Sequence, residues 1–281
     1  MDNWILISLL AFTLLAVSTA IDKHFMNKGY QPLSTNLFKM FFDGVILLGL
    51  GYFFIGLNLS WELFLWALVL GGLYALSGVL YFKAIKITDV EMIFPYIQSL
   101  VTLISVIGSV IFFQEIFELP NYLGVGLIFI GIYLVLSKDG LKVPEYNKGM
   151  LYGGMIVVTM TIYALLTKFL LSDIRPIDLS VMMYLSSGLL IGFYKLIFDK
   201  KHRLPQLKSA KIIISAAFGA TGTFLMYTAL ASGLASKVYA LAGWESVVIF
   251  ILASIALKQK LLIHRLIGIL LILPGIYLVS I

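Results

Sequence analysis

The chain has 281 residues, of which 61% are hydrophobic and only 12% charged, with a mean hydropathy of +1.03. A soluble domain is about half apolar and roughly a quarter charged, so this composition is that of a membrane protein. The net charge of +6 sits in short segments between apolar runs, where it orients helices rather than binding nucleic acid, and the lack of cysteine excludes disulfides, thiolate catalysis and Cys-ligated metals.

A bilayer core about 30 Å thick takes roughly 20 apolar residues per helix. By that measure ten spans follow in chain order, over 4–21, 33–56, 62–82, 91–113, 121–137, 149–170, 178–198, 211–231, 236–257 and 263–280. The first has no basic segment before it and no small-residue cleavage site after it, which marks a retained helix rather than a signal peptide. The breaks carry turn residues: Gly29 and Pro32, Asn58, Pro120 with Asn121, Gly140 and Pro144, Pro176, and the polar stretch 200–208.

The chain also reads as two copies. A shift of 144 residues superposes Ala20 on Ala164, Pro32 on Pro176, Gly44 on Gly188 and Gly124 on Gly268, and brings GIYLV at 131–135 onto GIYLV at 275–279. Residues 1–140 and 145–281 are then the two repeats. Each holds five spans, an odd number, so the second enters the membrane from the opposite side. The expected fold is therefore all-α and integral to the membrane, with ten transmembrane helices as two inverted five-helix repeats, an architecture used by secondary transporters. Of the Lys and Arg residues flanking the spans, sixteen fall after odd-numbered spans and three, Lys168, Arg175 and Lys237, on the other side. The positive-inside rule then places both termini outside the cytoplasm.

Polar residues within spans mark cavities and sites, because lipid tolerates them badly. Asn36, Lys39 and Asp43 share one face of span 2. The Lys39 and Asp43 pair is either self-neutralising or a contact for substrate or proton. Glu245 lies in span 9 without a basic neighbour in its own helix, so it either exchanges protons with an opening cavity or bonds a neighbouring helix, with Lys39 as a candidate partner. In span 4, Glu91, Pro95, Gln98, Thr102, Ser105 and Ser109 recur every three or four residues, forming one polar stripe with a kink-prone proline. Tyr74, Ser77 and Tyr81 share a face of span 3, and Trp244, Tyr163, Tyr239 and Tyr227 add rings with polar tips that suit an organic solute. All three histidines lie in or near loops and no phosphate-gripping glycine loop is present, so no metal, cofactor or ATP chemistry is expected.

These features resemble the drug/metabolite transporter superfamily, specifically its ten-helix EamA-type members, over the whole chain. Members often carry Glu-Pro-Val in the ninth helix, then a Gly-Glu pair, then a glycine-rich final helix. Glu245 falls on the family's glutamate, Ser246 replaces the proline, and Gln259 stands at the second acidic position. In the first repeat Glu115 holds that second position, and Val101 stands where Glu245 would recur. The resemblance implies a secondary transporter, frequently an exporter of amino acids or other metabolites, working by alternating access, with the fifth and tenth helices peripheral and the cavity lined by spans 1–4 and 6–9. Members are often described with cytoplasmic termini, opposite to the charge count.

The expectation is a carrier of a small-molecule solute in the cell membrane, a monomer or homodimer without nucleic-acid partners, with protons as a candidate coupling ion through Glu245. Its site residues are Glu245, Lys39, Asp43, Asn36, Gln98, Tyr81, Tyr74, Trp244, Tyr163 and Pro95. The alternatives are a membrane-embedded enzyme or flippase-type protein acting on a lipid-linked substrate, and a channel or non-transporting scaffold. The enzyme would need clustered acid, base or metal-binding residues near one interface, and the sequence displays no such cluster.

Overall fold

The computed structural model describes residues 3–88, 90–136, 147–198, 210–257 and 262–280, and the described residues form helices and short connections. The helices are α1 (Asn3–Asn27), α2 (Pro32–Leu50), α3 (Trp61–Ile87), α4 (Val90–Phe112), α5 (Leu119–Leu136), α6 (Lys148–Leu170), α7 (Pro176–Phe198), α8 (Ala210–Ser232), α9 (Ala235–Leu241), α10 (Gly243–Leu257) and α11 (Ile263–Ser280). Gln259, and the basic residues Lys138, Lys142, Lys200, Lys201, Arg203, Lys208, Lys258 and Lys260 counted for orientation, lie outside the described residues.

Seven of the helical stretches are long and apolar enough to cross a membrane, and shorter apolar stretches at Tyr96–Phe112, Leu119–Ile132 and Ile263–Val279 bring the spans to ten. The protein is thus an all-α integral membrane protein of two inverted five-helix repeats. The ninth span is α9 and α10 together, interrupted at Ala242.

Local chemistry sets the helix ends. Pro32 and Pro176 open α2 and α7, where a missing N–H costs nothing. Ser60 caps α3 by accepting the Leu63 N–H at 3.1 Å, and Asn147 caps α6 by accepting the Met150 N–H at 3.0 Å. Gly29, at φ +81°, takes the left-handed turn that ends α1. Several helices overrun the apolar windows read from sequence. The first span runs six residues past Ile21, because Asp22, Lys23 and His24 continue α1 instead of ending it.

The overrun is held by a pair of related contacts. Lys23 donates to the carbonyls of Ile85 and Thr88, at 2.5 and 2.9 Å, at the C-terminal end of α3. Lys168 donates to those of Leu230 and Gly233, at 2.8 and 2.9 Å, at the end of α8. All three positions correspond by a common shift of 145 residues, one more than the offset of the loop prolines, so each repeat uses a lysine near the C-terminal end of its first helix to satisfy the orphan carbonyls of its third. A cation at a helix C-terminus is also favoured by the macrodipole.

The repeats interlock rather than sit side by side. α1 packs on α8 and α6 on α3; α4 packs on α6 and α10 on α1; α3 packs on α7 and α2 on α8. α2 against α7, α4 against the broken α9–α10, and α5 against α11 are the pairings that relate a helix to its own counterpart. Every interface between repeats therefore occurs twice or lies on the pseudo-two-fold axis, as inversion in the membrane plane requires. α5 and α11 form a unit beside the main bundle.

Candidate functional site

Between the repeats lies a cavity of about 200 Å³, lined by α1, α2, α3, α4, α6, α8 and the α9–α10 junction. Among the described residues, α5 and α11 contribute nothing to its wall. Neither does α7, which departs from the expectation that spans 6–9 all line it. The inward face of α7 is filled by Tyr184, which is fully buried against Tyr74 with ring centroids 5.4 Å apart.

Most of the wall is apolar, from Phe12, Leu15, Met40, Ile97, Val101, Ile156, Met160 and Met226 among others. Its charged groups among the described residues are Asp22, Lys39 and Glu245. Lys39 Nζ lies 2.6 Å from Asp22 Oδ2 and donates to Ser18 Oγ at 2.5 Å. Ser215 Oγ, on α8, donates to the other Asp22 oxygen at 2.7 Å. The sequence reading offered Asp43 or Glu245 as the partner of Lys39; the contact partner is Asp22. Asp22 stands near the C-terminal end of α1, so the pairing crosses between helices, which spacing along α2 alone cannot reveal.

Asp43 lies behind this ion pair, off the cavity wall and fully buried, and among the described residues neither of its carboxylate oxygens has a hydrogen-bond partner. Glu245 stands in the first turn of α10, just past the interruption at Ala242, and is 5% exposed. Its N–H bonds back to the Ala242 carbonyl at 3.1 Å, a tightened turn that restarts the helix at mid-span. Lys39 and Glu245 both line the cavity.

Tyrosines close another part of the wall. Tyr163 and Tyr227 share a short hydrogen bond between their hydroxyls. Tyr239 donates to the Ala164 carbonyl at 2.6 Å, and Tyr74 packs on Tyr163 with ring centroids 5.3 Å apart. Asn36 is anchored through its amide to the Ala75 carbonyl at 3.3 Å, its own oxygen having no partner among the described residues. Ser77 Oγ is 2.6 Å from Thr159 Oγ1, which ties α3 to α6.

Of the ten residues singled out from sequence, the structure brings seven to this cavity: Asn36, Lys39, Tyr74, Tyr81, Gln98, Tyr163 and Glu245. Trp244 is off the wall, its indole N–H donating to Thr13 Oγ1 at 2.9 Å and so fastening α10 to α1. Asp43 is behind the wall, and Pro95 falls within α4 with its side chain outside the described residues. Sequence reasoning missed Asp22, because the scan for span 1 stopped at Ile21. The signal was present: Leu15, Ser18, Thr19 and Asp22 are spaced to share one helical face.

Glu115, between α4 and α5, accepts the backbone N–H groups of Ala235 and Ser236 at 2.8 and 2.9 Å and a short bond from the Ser236 hydroxyl. It thereby caps α9, the short half of the broken span. Among the described residues, no three His, Cys, Asp or Glu side chains gather as a metal site.

Comparison with known proteins agrees with this geometry. A solved structure titled "Crystal structure of protein" is similar over 100% of this chain and 99% of its own, with 17% identity and a TM-score of 0.78, which establishes a common fold. No curated protein matches the chain. The EamA-like transporter family matches it twice, over residues 2–137 and 147–281. Two family copies joined head to tail, folded as interlocked inverted halves around one central cavity, place the chain in the EamA-like transporter family of the drug/metabolite transporter superfamily.

Proposed function

We propose that this membrane transporter is a secondary carrier that exports a small organic solute bearing a basic amine, by alternating access of the central cavity. The observation that carries the reading is the charge of the wall: two carboxylates, Asp22 and Glu245, against one ammonium, Lys39, in an otherwise apolar and tyrosine-lined space. With Asp22 matched to Lys39, Glu245 is the acidic group left to meet a cation. Tyrosine faces add quadrupole attraction for the same group. The volume of about 200 Å³ is below the roughly 300–1,000 Å³ of pockets for drug-sized ligands, so the solute is small. Glu245 takes the solute amine or, when the site is empty, a proton, which couples export to proton entry. Both termini face away from the cytoplasm, as the Lys and Arg distribution favours.

The test uses purified protein in proteoliposomes, with labelled phenethylamine as an aromatic primary amine. Saturable uptake is expected, inhibited by other primary amines, insensitive to phenylacetate, and lost in Glu245→Gln. Saturable movement of acids or sugars with no amine transport would sink the amine assignment. Flux that does not saturate would make the protein a channel.

A further inference from the structure

We propose that Asp43 is a second counter-ion for Lys39, so that the Lys39 ammonium moves between Asp22 on the cavity wall and Asp43 behind it. The role of that movement in transport rests on the carrier reading above; the movement itself does not. Three observations converge. Both Asp43 oxygens are buried without a hydrogen-bond partner among the described residues, and an unpartnered carboxylate in a low-dielectric interior is costly enough to need a reason. Asp43 stands one helical turn beyond Lys39 on the same face of α2, the spacing at which a lysine reaches a carboxylate of its own helix. Gly219 of α8 leaves the path between them open: a Cβ there would lie 3.1 Å from Ser18 Oγ, 3.4 Å from Lys39 Cε and 3.5 Å from Asp43 Oδ1, so these groups surround one point left clear of any side chain.

The lysine stem is flexible while its Cα is fixed in α2. Its ammonium can therefore leave Asp22 without entering lipid or the open cavity. In the arrangement seen here it is on Asp22, with help from Ser18 and Ser215. On Asp43 it would release the Asp22 carboxylate toward the cavity, where a solute cation approaching Glu245 finds a second acidic contact. Without Asp43, the same event would strand an ammonium between helices. The two carboxylates thus offer the ammonium two alternative counter-ions, which is what a binding-linked switch needs.

Thermal unfolding of the purified full-length protein in detergent tests the proposal without any solute. Asp43→Asn alone is expected to leave the midpoint nearly unchanged. Asp22→Asn alone should lower it modestly, because Lys39 falls back on Asp43. The double variant should fall at least about 4 °C below the sum of the two single effects. Adding Lys39→Met to the double variant should recover most of that loss, since no stranded charge remains; recovery of expression, if the double variant does not accumulate, is the same result. Additive single effects, or no recovery with Lys39→Met, would overturn the second counter-ion. A non-additive cycle in a protein that moves no amine would leave the second counter-ion standing and remove the amine-carrier reading; amine transport with an additive cycle would do the reverse.

Discussion

Gly124 and Gly275 meet at the crossing of α5 and α11, where a Cβ on Gly124 would lie 2.6 Å from the Gly275 carbonyl oxygen and one on Gly275 would lie 2.8 Å from that of Gly124. Gly131 meets the Gly268 carbonyl in the same way, at 2.5 Å. The 144-residue shift pairs Gly124 with Gly268 and Gly131 with Gly275, so the contacts are the crossed pairs, as a two-fold axis between antiparallel helices dictates. Small residues let the backbones approach closely, which is how helices associate in lipid. The repeated GIYLV opens on a glycine of this interface in both copies.

Replacement of Gly124 by Ala is expected to force α5 and α11 apart and to cost about 1–3 kcal/mol, the usual penalty for overpacking a close contact. Gly126, two residues on, has nothing within 4 Å of an added Cβ, and Gly126→Ala should be neutral or slightly stabilising. Thermal unfolding of both variants in the same detergent checks the contrast; equal midpoints would contradict the close crossing.

Glu115→Gln should weaken the cap on α9 by about 1–2 kcal/mol, because a charged acceptor at a helix N-terminus is replaced by a neutral one. A helix of seven residues has little stability of its own. Hydrogen exchange at 235–241 is expected to accelerate, while exchange in α1 and α6 stays unchanged.

Lys168→Met removes both donors to the α8 carbonyls and is expected to cost about 1 kcal/mol, part of the gain being screened where the side chain meets solvent. Lys23→Met should behave alike at the end of α3, since its contacts are the symmetry equivalents. Exchange rates at 228–233 and at 83–88 report each loss separately, and a variant that loosens the other repeat's segment would refute the local role.

Trp244 neighbours Glu245 in sequence but not in role. Trp244→Phe removes its bond to Thr13 and is expected to cost about 1 kcal/mol of stability while leaving the KM for amine transport within twofold. A large rise in KM with unchanged stability would put the indole in the site.

A reporter fused after Ile281 that matures only in the cytoplasm is expected to stay dark, with the same reporter in the 199–209 connection bright. The reverse pattern would overturn the charge count.

Much of the scaffold is legible in the sequence. Apolar runs of bilayer length, loop prolines at one common offset and the doubled GIYLV are local or periodic signals, and hydrophobic thickness plus an odd span count leave few arrangements open. Asn36, Lys39, Tyr74, Tyr81, Gln98, Tyr163 and Glu245 were legible as a group for the same reason, since a polar side chain inside a span needs a cavity or a partner. Their partners were not legible. Lys39 belongs to Asp22 on another helix, Glu115 caps a helix of the other repeat, and Trp244 holds α1, because each pairing depends on which helices cross and at what depth. The overrun of α1 past Ile21, which carries Asp22 to the cavity, likewise depends on Lys23 finding carbonyls 62 and 65 residues away in sequence. The sequence by itself determined that the chain crosses the membrane as two inverted halves with charge between them. Only the packing of those halves decided which charges meet, because hydrophobic periodicity specifies a helix face while ion pairs and caps are specified by contacts between faces.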